Sequence, residues 1–165
     1  MAVVIVRNIL VVEDDHTVAR ALQLRLETAG YKVVTENLGE AALKFASEHP
    51  LDLVVLDLKL PDISGLEVCS RLRKLHGPWL PVLILTGMDE EARLVEAFEA
   101  GVDDFVVKPF SPKALQARLR AGQRVIGLQQ EVESDREEIR HFAAELAMTN
   151  RRLQQAALEI GRAHV

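Results

Sequence analysis

Five short apolar segments alternate along this chain with longer amphipathic segments, and this alternation constrains the fold more than any other feature. The apolar, strand-like segments lie near residues 8–12, 32–36, 52–56, 81–85 and 104–107. The helix-like segments lie near residues 16–29, 39–48, 64–75, 89–100 and from 112 onward. Strands separated by helices are typical of repeated β-α-β units, in which a parallel sheet carries helices on both faces. We therefore predict an α/β fold with a five-stranded parallel sheet.

Four of the predicted strands end on polar residues that are capable of chemistry. The first strand runs into Glu13 and Asp14, the third into Asp57, the fourth into Thr86 and the fifth into Lys108. In an open parallel sheet, ligands bind outside the carboxyl ends of the strands, so these side chains are expected to gather at one edge. Charged groups are rarely buried without a partner. The pattern therefore predicts a functional site rather than core packing.

Carboxylates that converge at one edge repel each other and call for a cation. Glu13, Asp14 and Asp57 offer hard oxygen ligands, which suit Mg²⁺, whereas no Cys or His falls at the spacing of a zinc site. A metal-held carboxylate beside a threonine hydroxyl and a lysine ammonium resembles a phosphoryl-accepting site. Asp57, Thr86 and Lys108 are the candidates for that chemistry.

Composition restricts the remaining classes of function. The 165 residues suffice for one well-cored domain with an appendage, and no apolar run approaches the length that spans a bilayer. The net charge of -5 argues against direct nucleic-acid binding. The single cysteine, Cys69, excludes an internal disulfide and suits a reducing compartment, so we expect a cytoplasmic protein.

The C-terminal part of the chain carries a heptad pattern. Apolar or small residues spaced alternately by three and four run from Val125 to Ile160, with Asp135 and Thr149 as interruptions. Such a pattern predicts a coiled coil and therefore a homodimer, although one amphipathic helix folded back on the domain is an alternative. We expect a first domain at residues 1–122, a coiled-coil linker or dimerisation segment at 123–160, and a disordered tail at 161–165.

Taken together, the motifs resemble the receiver domain of two-component response regulators. The resemblance covers roughly residues 7–122 in order and spacing. It rests on four stretches: Ile9-Leu10-Val11-Val12-Glu13-Asp14-Asp15, residues 56–67 from Leu56-Asp57-Leu58-Lys59 to Ser64-Gly65-Leu66-Glu67, Leu85-Thr86-Gly87, and residues 101–110 from Gly101 to Phe105-Val106-Val107-Lys108-Pro109-Phe110.

The resemblance implies a flavodoxin-like, doubly wound sheet in the order 2-1-3-4-5 and an aspartyl phosphate at Asp57. Glu13 and Asp14 would be the acidic pair that holds Mg²⁺, and the backbone carbonyl of Lys59 would be a further metal ligand. Lys108 would bind the phosphoryl group. The phosphodonor would be a histidine kinase or a phosphotransfer protein, docking on the first helix beside Ala19, Leu22 and Gln23.

The resemblance also assigns Thr86 and Phe105 as a coupled switch pair. Ser64 stands where an aspartate is frequent in the family, and Asp62, Asp103 and Asp104 are interpreted as loop and turn residues.

Three other functional interpretations compete with the phosphorylated receiver. A phosphatase of the haloacid dehalogenase type needs a second aspartate two residues after the nucleophile, and Lys59 occupies that position. The chain is therefore expected to be a phosphoacceptor that supports its own phosphorylation and dephosphorylation, rather than an enzyme acting on other substrates. A dimerising module independent of phosphorylation remains open. So does a fragment of a larger enzyme with a cyclase, phosphatase or kinase output domain.

Overall fold

The computed structural model describes residues 8–87 and 89–163. Its strands are β1 (Asn8–Val12), β2 (Lys32–Glu36), β3 (Leu53–Asp57), β4 (Val82–Thr86) and β5 (Asp104–Val107). Its helices are α1 (His16–Thr28), α2 (Gly39–Glu48), α3 (Gly65–His76), α4 (Glu91–Glu99) and α5 (Pro112–Ala163). The alternation that the sequence predicts is therefore confirmed.

All neighbouring strands of the sheet are parallel, in the order β2-β1-β3-β4-β5. β3 and β4 each end one residue later than the sequence suggests, so that Asp57 and Thr86 are themselves the last residues of their strands. In the sheet register Asp57 pairs with Leu85, and Thr86 pairs with Val107. The carboxyl ends of the central strands thus lie side by side.

Two apolar layers cover the sheet because successive strand residues point to opposite faces. Leu10 and Val12 of β1 pack with buried residues of α2, α3 and α4. Ile9 and Val11 of the same strand pack with buried residues of α1 and of the first turns of α5, including Leu115 and Leu119. Helices on both faces make this a doubly wound α/β fold of flavodoxin-like topology, as predicted.

The chain divides into two units after Gly127, five residues beyond the boundary expected from the sequence. In the first unit Gly122 lies close to the sheet, since a Cβ there would be 3.1 Å from Leu53 Cδ1. In the second unit α5 remains helical through Ala163, whereas the sequence suggests disorder after residue 160. Gly161 disfavours a helix by only about 1 kcal/mol relative to Ala. Residues 164 and 165 of the expected tail lie outside the described residues.

Candidate functional site: an acidic cluster at the carboxyl edge of the sheet

Three carboxylates meet where β1 and β3 end. Glu13 and Asp14 follow β1 directly, and Asp57 closes β3. One oxygen atom from each of the three lies within 4.8 Å of the other two. Glu13 and Asp57 are buried, at 2% and 6% exposure, whereas Asp14 is exposed to solvent. The structure therefore brings together the acidic residues that the sequence predicts.

Lys108 places its ammonium group between the two buried carboxylates. Its Nζ atom lies 2.8 Å from Glu13 Oε2 and 3.2 Å from Asp57 Oδ2. The backbone N–H of Lys108 donates to the carbonyl of Thr86 at 2.7 Å, and the Lys108–Pro109 peptide bond is cis. Burial disfavours the charged ammonium, but the bond to Glu13 and the charge of Asp57 outweigh it and raise the pKa of Lys108. The lysine is therefore a fixed positive charge in this site.

The pKa of Glu13 is set by burial and by its neighbours Lys108 and Asp57. Burial raises the pKa of Glu13 to about 7 against the lowering effect of the Lys108 ammonium, and Asp57 adds to the rise. The other oxygen of Glu13, Oε1, accepts a hydrogen bond from the backbone N–H of Asp15 at 3.2 Å. Glu13 is thus held by two partners while its protonation changes near neutral pH.

The cluster fits a divalent cation. With all groups ionised, three carboxylates and the Lys108 ammonium leave two negative charges, which one Mg²⁺ ion would balance. The ligand atoms are hard carboxylate oxygens, and the exposure of Asp14 leaves room for the waters that Mg²⁺ retains. Glu13, Asp14 and Asp57 are the residues that would hold the ion. Lys59 donates its backbone N–H to Asp57 Oδ1 at 3.3 Å, and the metal role of its carbonyl stays a prediction.

Gly65, the first residue of α3, allows the helix to approach the backbone of Asp57. Its N–H donates to the carbonyl of Leu58 at 2.9 Å. A Cβ atom on Gly65 would lie 2.3 Å from the carbonyl oxygen of Asp57, closer than two such atoms can approach. Ser64 caps the same helix by accepting from the N–H of Glu67 at 3.2 Å. The loop after Asp57 is therefore tightly positioned.

Thr86 and Phe105, the predicted switch pair, lie on the neighbouring strands β4 and β5. Thr86 is buried at 1% exposure, and its hydroxyl donates to the carbonyl of Gly87 at 3.2 Å. Phe105 is half-buried and meets Phe98 edge to face, with ring centroids 6.1 Å apart. Phe98 itself is 47% exposed. The coupling of Thr86 to Phe105 stays a prediction.

An ion pair beside the acidic cluster was not predicted from the sequence. Lys59 Nζ lies 3.0 Å from Glu90 Oε1 and 3.8 Å from Asp89 Oδ2, which links the loop after β3 to the start of α4. Glu90 is only 7% exposed, and its Oε2 atom has no hydrogen-bond partner among the described residues. The bond to Glu90 raises the pKa of Lys59. An acidic residue at a helix start is too ordinary to signal this pair in a sequence.

Asp62 has a more specific role than the loop position assigned to it from the sequence. Its two carboxylate oxygens accept from the N–H groups of Gly39 and Glu40, at 2.8 and 2.9 Å. Leu38, at the N-cap position of α2, offers no side-chain cap, so Asp62 supplies one from a distant loop. Leu38 at this position indicates in the sequence that a local cap is lacking, but no sequence signal identifies Asp62 as the residue that supplies it.

Asp103 also makes contacts beyond the turn to which the sequence assigns it. Its Oδ2 atom accepts from the N–H of Val82 and from Arg73, both at 2.8 Å, and so ties β4 and α3 to the start of β5.

The predicted docking residues on α1 need correction. Ala19 and Leu22 are buried, at 7% and 1% exposure, because they face the sheet. Gln23 is half-buried, and Leu24 is exposed at 49%. A partner that docks on α1 therefore cannot contact Ala19 or Leu22 directly without displacing the helix.

Comparisons with known proteins agree with the fold. The profile of the response regulator receiver domain matches residues 9–120. The alkaline phosphatase synthesis transcriptional regulatory protein PhoP of Bacillus subtilis is 45% identical over 115 residues, which cover 70% of this chain and 48% of PhoP. The transcriptional regulatory protein KdpE of Mycobacterium tuberculosis is 41% identical over 141 residues, which cover 84% of this chain and 61% of KdpE.

A solved structure shows the same architecture. The response regulator receiver domain protein (CheY-like) from Methanospirillum hungatei matches with a TM-score of 0.69 at 26% identity, over 77% of this chain and 99% of that chain. This chain thus spans about half to three fifths of the two curated relatives and nearly the whole of the receiver structure. The profile match covers more than half of the chain. The chain therefore belongs to the response regulator receiver domain family.

Proposed function

We propose that this chain accepts a phosphoryl group on Asp57 from a histidine kinase or a phosphotransfer protein and passes the signal on through α5. Receiver domains are signalling phosphoacceptors, so the family supports the class of reaction. The observation that carries the choice of residue is the position of Asp57. It is a buried carboxylate 3.2 Å from the Lys108 ammonium and within 4.8 Å of two further carboxylates.

The transfer step follows from these groups. An Asp57 carboxylate oxygen attacks the phosphorus of a phosphohistidine, so that an O–P bond forms, the N–P bond breaks and the imidazole leaves. Lys108 is close enough to neutralise negative charge on the transferred group. Mg²⁺ bound by Glu13, Asp14 and Asp57 would supply further charge neutralisation at the phosphoryl oxygens. Spontaneous dephosphorylation, by attack of water on the same phosphorus, is part of this proposal.

Phosphorylation of Asp57 changes the charge close to Thr86, one member of the predicted switch pair. The new acceptor oxygens compete with Glu13 for Lys108 and with the Gly87 carbonyl for the Thr86 hydroxyl. When Thr86 turns toward the phosphoryl group it vacates space, and Phe105 moves inward, away from its edge-to-face contact with Phe98. The surface formed by α4, β5 and the start of α5 then changes shape.

The second unit of the chain supports an output by dimerisation. From Leu128 to Ile160 the apolar heptad residues of α5 are 49–67% exposed where they are large, which leaves the seam open for a partner helix. We infer that a second copy covers this seam as a coiled coil. A cytoplasmic location is part of the proposal, since Cys69 is a free, buried thiol. Among the described residues, no helix combines the length and apolarity needed to cross a bilayer.

The output beyond this chain is a separate question. PhoP and KdpE are transcriptional regulatory proteins, and this chain spans only part of each. The net charge of -5 supports no direct nucleic-acid contact by the residues present here. A cyclase, phosphatase or kinase domain in a longer protein is the alternative that coiled-coil linkers of this kind suggest.

Labelling by a small phosphodonor tests the proposal. We expect acetyl phosphate to add one phosphoryl group to the full chain in the presence of Mg²⁺, and no group after chelation or in Asp57→Asn. Asp135→Asn, a matched change in the second unit, is the control and should label normally. A chain that stays unlabelled under conditions that label another receiver contradicts the proposal. Normal partner binding by Asp57→Asn would favour the phosphorylation-independent module instead.

A further inference from the structure

The exposed seam of α5 has one consistent heptad frame. The a positions are all apolar and comprise Val132, Ile139, Leu146, Leu153 and Ile160, exposed at 49%, 67%, 50%, 63% and 62%. The d positions comprise Leu128, Asp135, Phe142, Thr149 and Ala156. Three of these a residues are β-branched, as is favoured at a in parallel two-stranded coiled coils, and Leu128 is the one d residue that is Leu, the residue favoured there. The frame therefore gives the second unit of α5 one continuous, exposed apolar face.

The charged residues beside the seam distinguish the two possible directions of the partner helix. The g positions carry Glu131, Glu138, Glu145, Arg152 and Glu159, whereas Arg136 is the one charged residue among the e positions from 136 to 157. In a parallel pair, each g residue faces the e residue five positions later in the other helix. Glu131 then faces Arg136 of the second copy, and no like charges face each other at the described e and g positions.

We propose that the seam binds a second copy of this chain as a parallel, in-register coiled coil, so that both receivers enter it from the same end. This inference rests on the dimer in the proposed function and adds its direction and register. In this arrangement Asp135 of one chain faces Asp135 of the other, and Thr149 likewise faces Thr149. The remaining d layers and all the a layers from Val132 to Ile160 are then free of charged groups.

The antiparallel alternative mixes polar and apolar layers. Antiparallel helices oppose a to d, so full overlap sets Asp135 against Leu153 and Thr149 against Ile139 of the second copy. Each mismatch occurs twice, and an unpaired polar group against an apolar side chain costs free energy. In the parallel pair the same groups are confined to two layers, and the repulsion between the two facing Asp135 carboxylates is limited to one of them.

The flanking charges disfavour the antiparallel pair as well. In that pair the g residues of the two helices face each other. Glu131 of one helix then lies opposite Glu159 of the other, and the two copies of Glu145 lie opposite each other. Glu138 opposite Arg152 is the favourable contact that remains. Like charges at such positions are destabilising.

The polar d residues also fix the register. A slip of one heptad would move Asp135 from its own copy to face Leu128 or Phe142 of the other helix. A single Asn or Lys at an a position sets register in coiled coils at some cost in stability, and Asp135 would act in the same way from a d position. The in-register pair keeps the aspartates together at the edge of the second unit, where Arg136 of each helix is adjacent.

Cysteine cross-linking of the full chain tests the direction. Leu153→Cys should give a covalent dimer under mild oxidation, because position 153 faces itself only in the parallel pair. In the antiparallel pair the two copies of position 153 are about 27 Å apart, at a rise of about 1.5 Å per residue. The unmodified chain is the control, since Cys69 is buried and its pKa is raised to about 11 by burial.

A second cross-linking experiment, in which two cysteine variants are mixed, detects the antiparallel pair. Leu153→Cys and Asp135→Cys chains that carry tags of different length are mixed, allowed to exchange and oxidised. The parallel pair predicts two homodimer bands without a mixed band, whereas a mixed band identifies the antiparallel pair and overturns the inference.

Charge reversal at Glu131 provides a second test, because it should weaken a parallel dimer and strengthen an antiparallel one. For the parallel pair, Glu131→Arg should raise the dissociation constant of the dimer about two- to fivefold, because two exposed ion pairs become repulsive. Adding Arg136→Glu should restore the original value. For the antiparallel pair, Glu131→Arg would tighten the dimer by removing repulsion from Glu159. Glu137→Arg, at the outer f position, should change little in either case.

The outcomes separate this inference from the proposed function. A chain that sedimentation shows to be monomeric at all concentrations contradicts both the dimer and its direction. A dimer with the antiparallel cross-links, or one that Glu131→Arg tightens, contradicts the direction alone and leaves the receiver function intact.

Discussion

The ammonium nitrogen of Lys108 lies 3.2 Å from Oδ2 of Asp57, and it lies 2.8 Å from Oε2 of Glu13 at the same time. One cation on the loop after β5 thus neutralises carboxylates at the ends of β3 and β1. The side chain of Lys108 is 27% exposed, whereas those of Asp57 and Glu13 are 9% and 1% exposed. The charge balance of two buried groups therefore depends on a single, partly solvated lysine.

Removal of this lysine should destabilise the receiver when Mg²⁺ is absent. We expect Lys108→Met to lower the free energy of unfolding by about 2 kcal/mol at pH 8, less than for a fully buried pair because Lys108 is partly solvated. Urea unfolding with and without Mg²⁺ measures this, and Mg²⁺ should recover part of the loss. Lys113→Met, an exposed lysine in the first turn of α5, is the matched control. Equal stability of the two variants would refute the claimed charge balance.

Stabilisation by Mg²⁺ should grow with pH. The pKa of Glu13 rises from 4.5 to about 7 on folding, so this group favours the folded state at low pH, and its contribution is lost as pH rises through about 7. Mg²⁺ binds the ionised carboxylate and competes with the proton below that pH. Thermal melts should therefore show a larger Mg²⁺-induced rise in Tm at pH 8 than at pH 6. Glu13→Gln should reduce this difference, and an equal rise at both pH values in the unmodified chain would count against it.

Gly65→Ala should disturb the phosphorylation site through the backbone. A Cβ there would lie 2.3 Å from the carbonyl oxygen of Asp57, so either α3 or the end of β3 must shift. We expect a loss of about 1–3 kcal/mol in stability and slower labelling of Asp57. Gly161→Ala is the matched control, because a Cβ at Gly161 meets nothing within 4 Å. Labelling of Gly65→Ala at the unmodified rate would show that this close approach does not position the site.

The Lys59–Glu90 pair should behave as a coupled unit. Lys59→Met leaves the buried Glu90 carboxylate without its cation, and we expect a small loss of stability, since the lysine side chain is 61% exposed. The double variant Lys59→Met/Glu90→Gln should recover most of this loss, because the uncompensated charge is then gone. A double-mutant cycle from urea unfolding measures the coupling. Additive effects of the two changes would mean that the pair contributes nothing.

The sequence predicts the fold well because its signals are local and repeated. Strand and helix periods alternate without a break, and Asp57 and Thr86 stand at strand ends, where parallel topology brings side chains to one edge. The cluster of Glu13, Asp14 and Asp57 follows from that topology alone. Its location was therefore predictable before any distance was known.

The parts that the sequence does not predict depend on contacts between distant loops. Asp62 caps α2 from 23 positions away, and Glu90 meets Lys59 across two loops. No period or motif encodes such pairings, since they depend on how the loops lie once the sheet has formed. The burial of Ala19 and Leu22 was missed for a different reason, because family resemblance named a surface without the helix phase that decides which side chains reach it.

Chemical mapping of the phosphorylated residue shows whether Asp57 is the phosphoacceptor. The full chain is phosphorylated with acetyl phosphate and Mg²⁺, reduced with sodium borohydride, which converts an aspartyl phosphate to homoserine, and digested for peptide mass analysis. We expect homoserine at position 57, with Glu13, Asp14 and Asp62 unchanged. Homoserine at another aspartate, or a stable phosphate on a hydroxyl group, would contradict it.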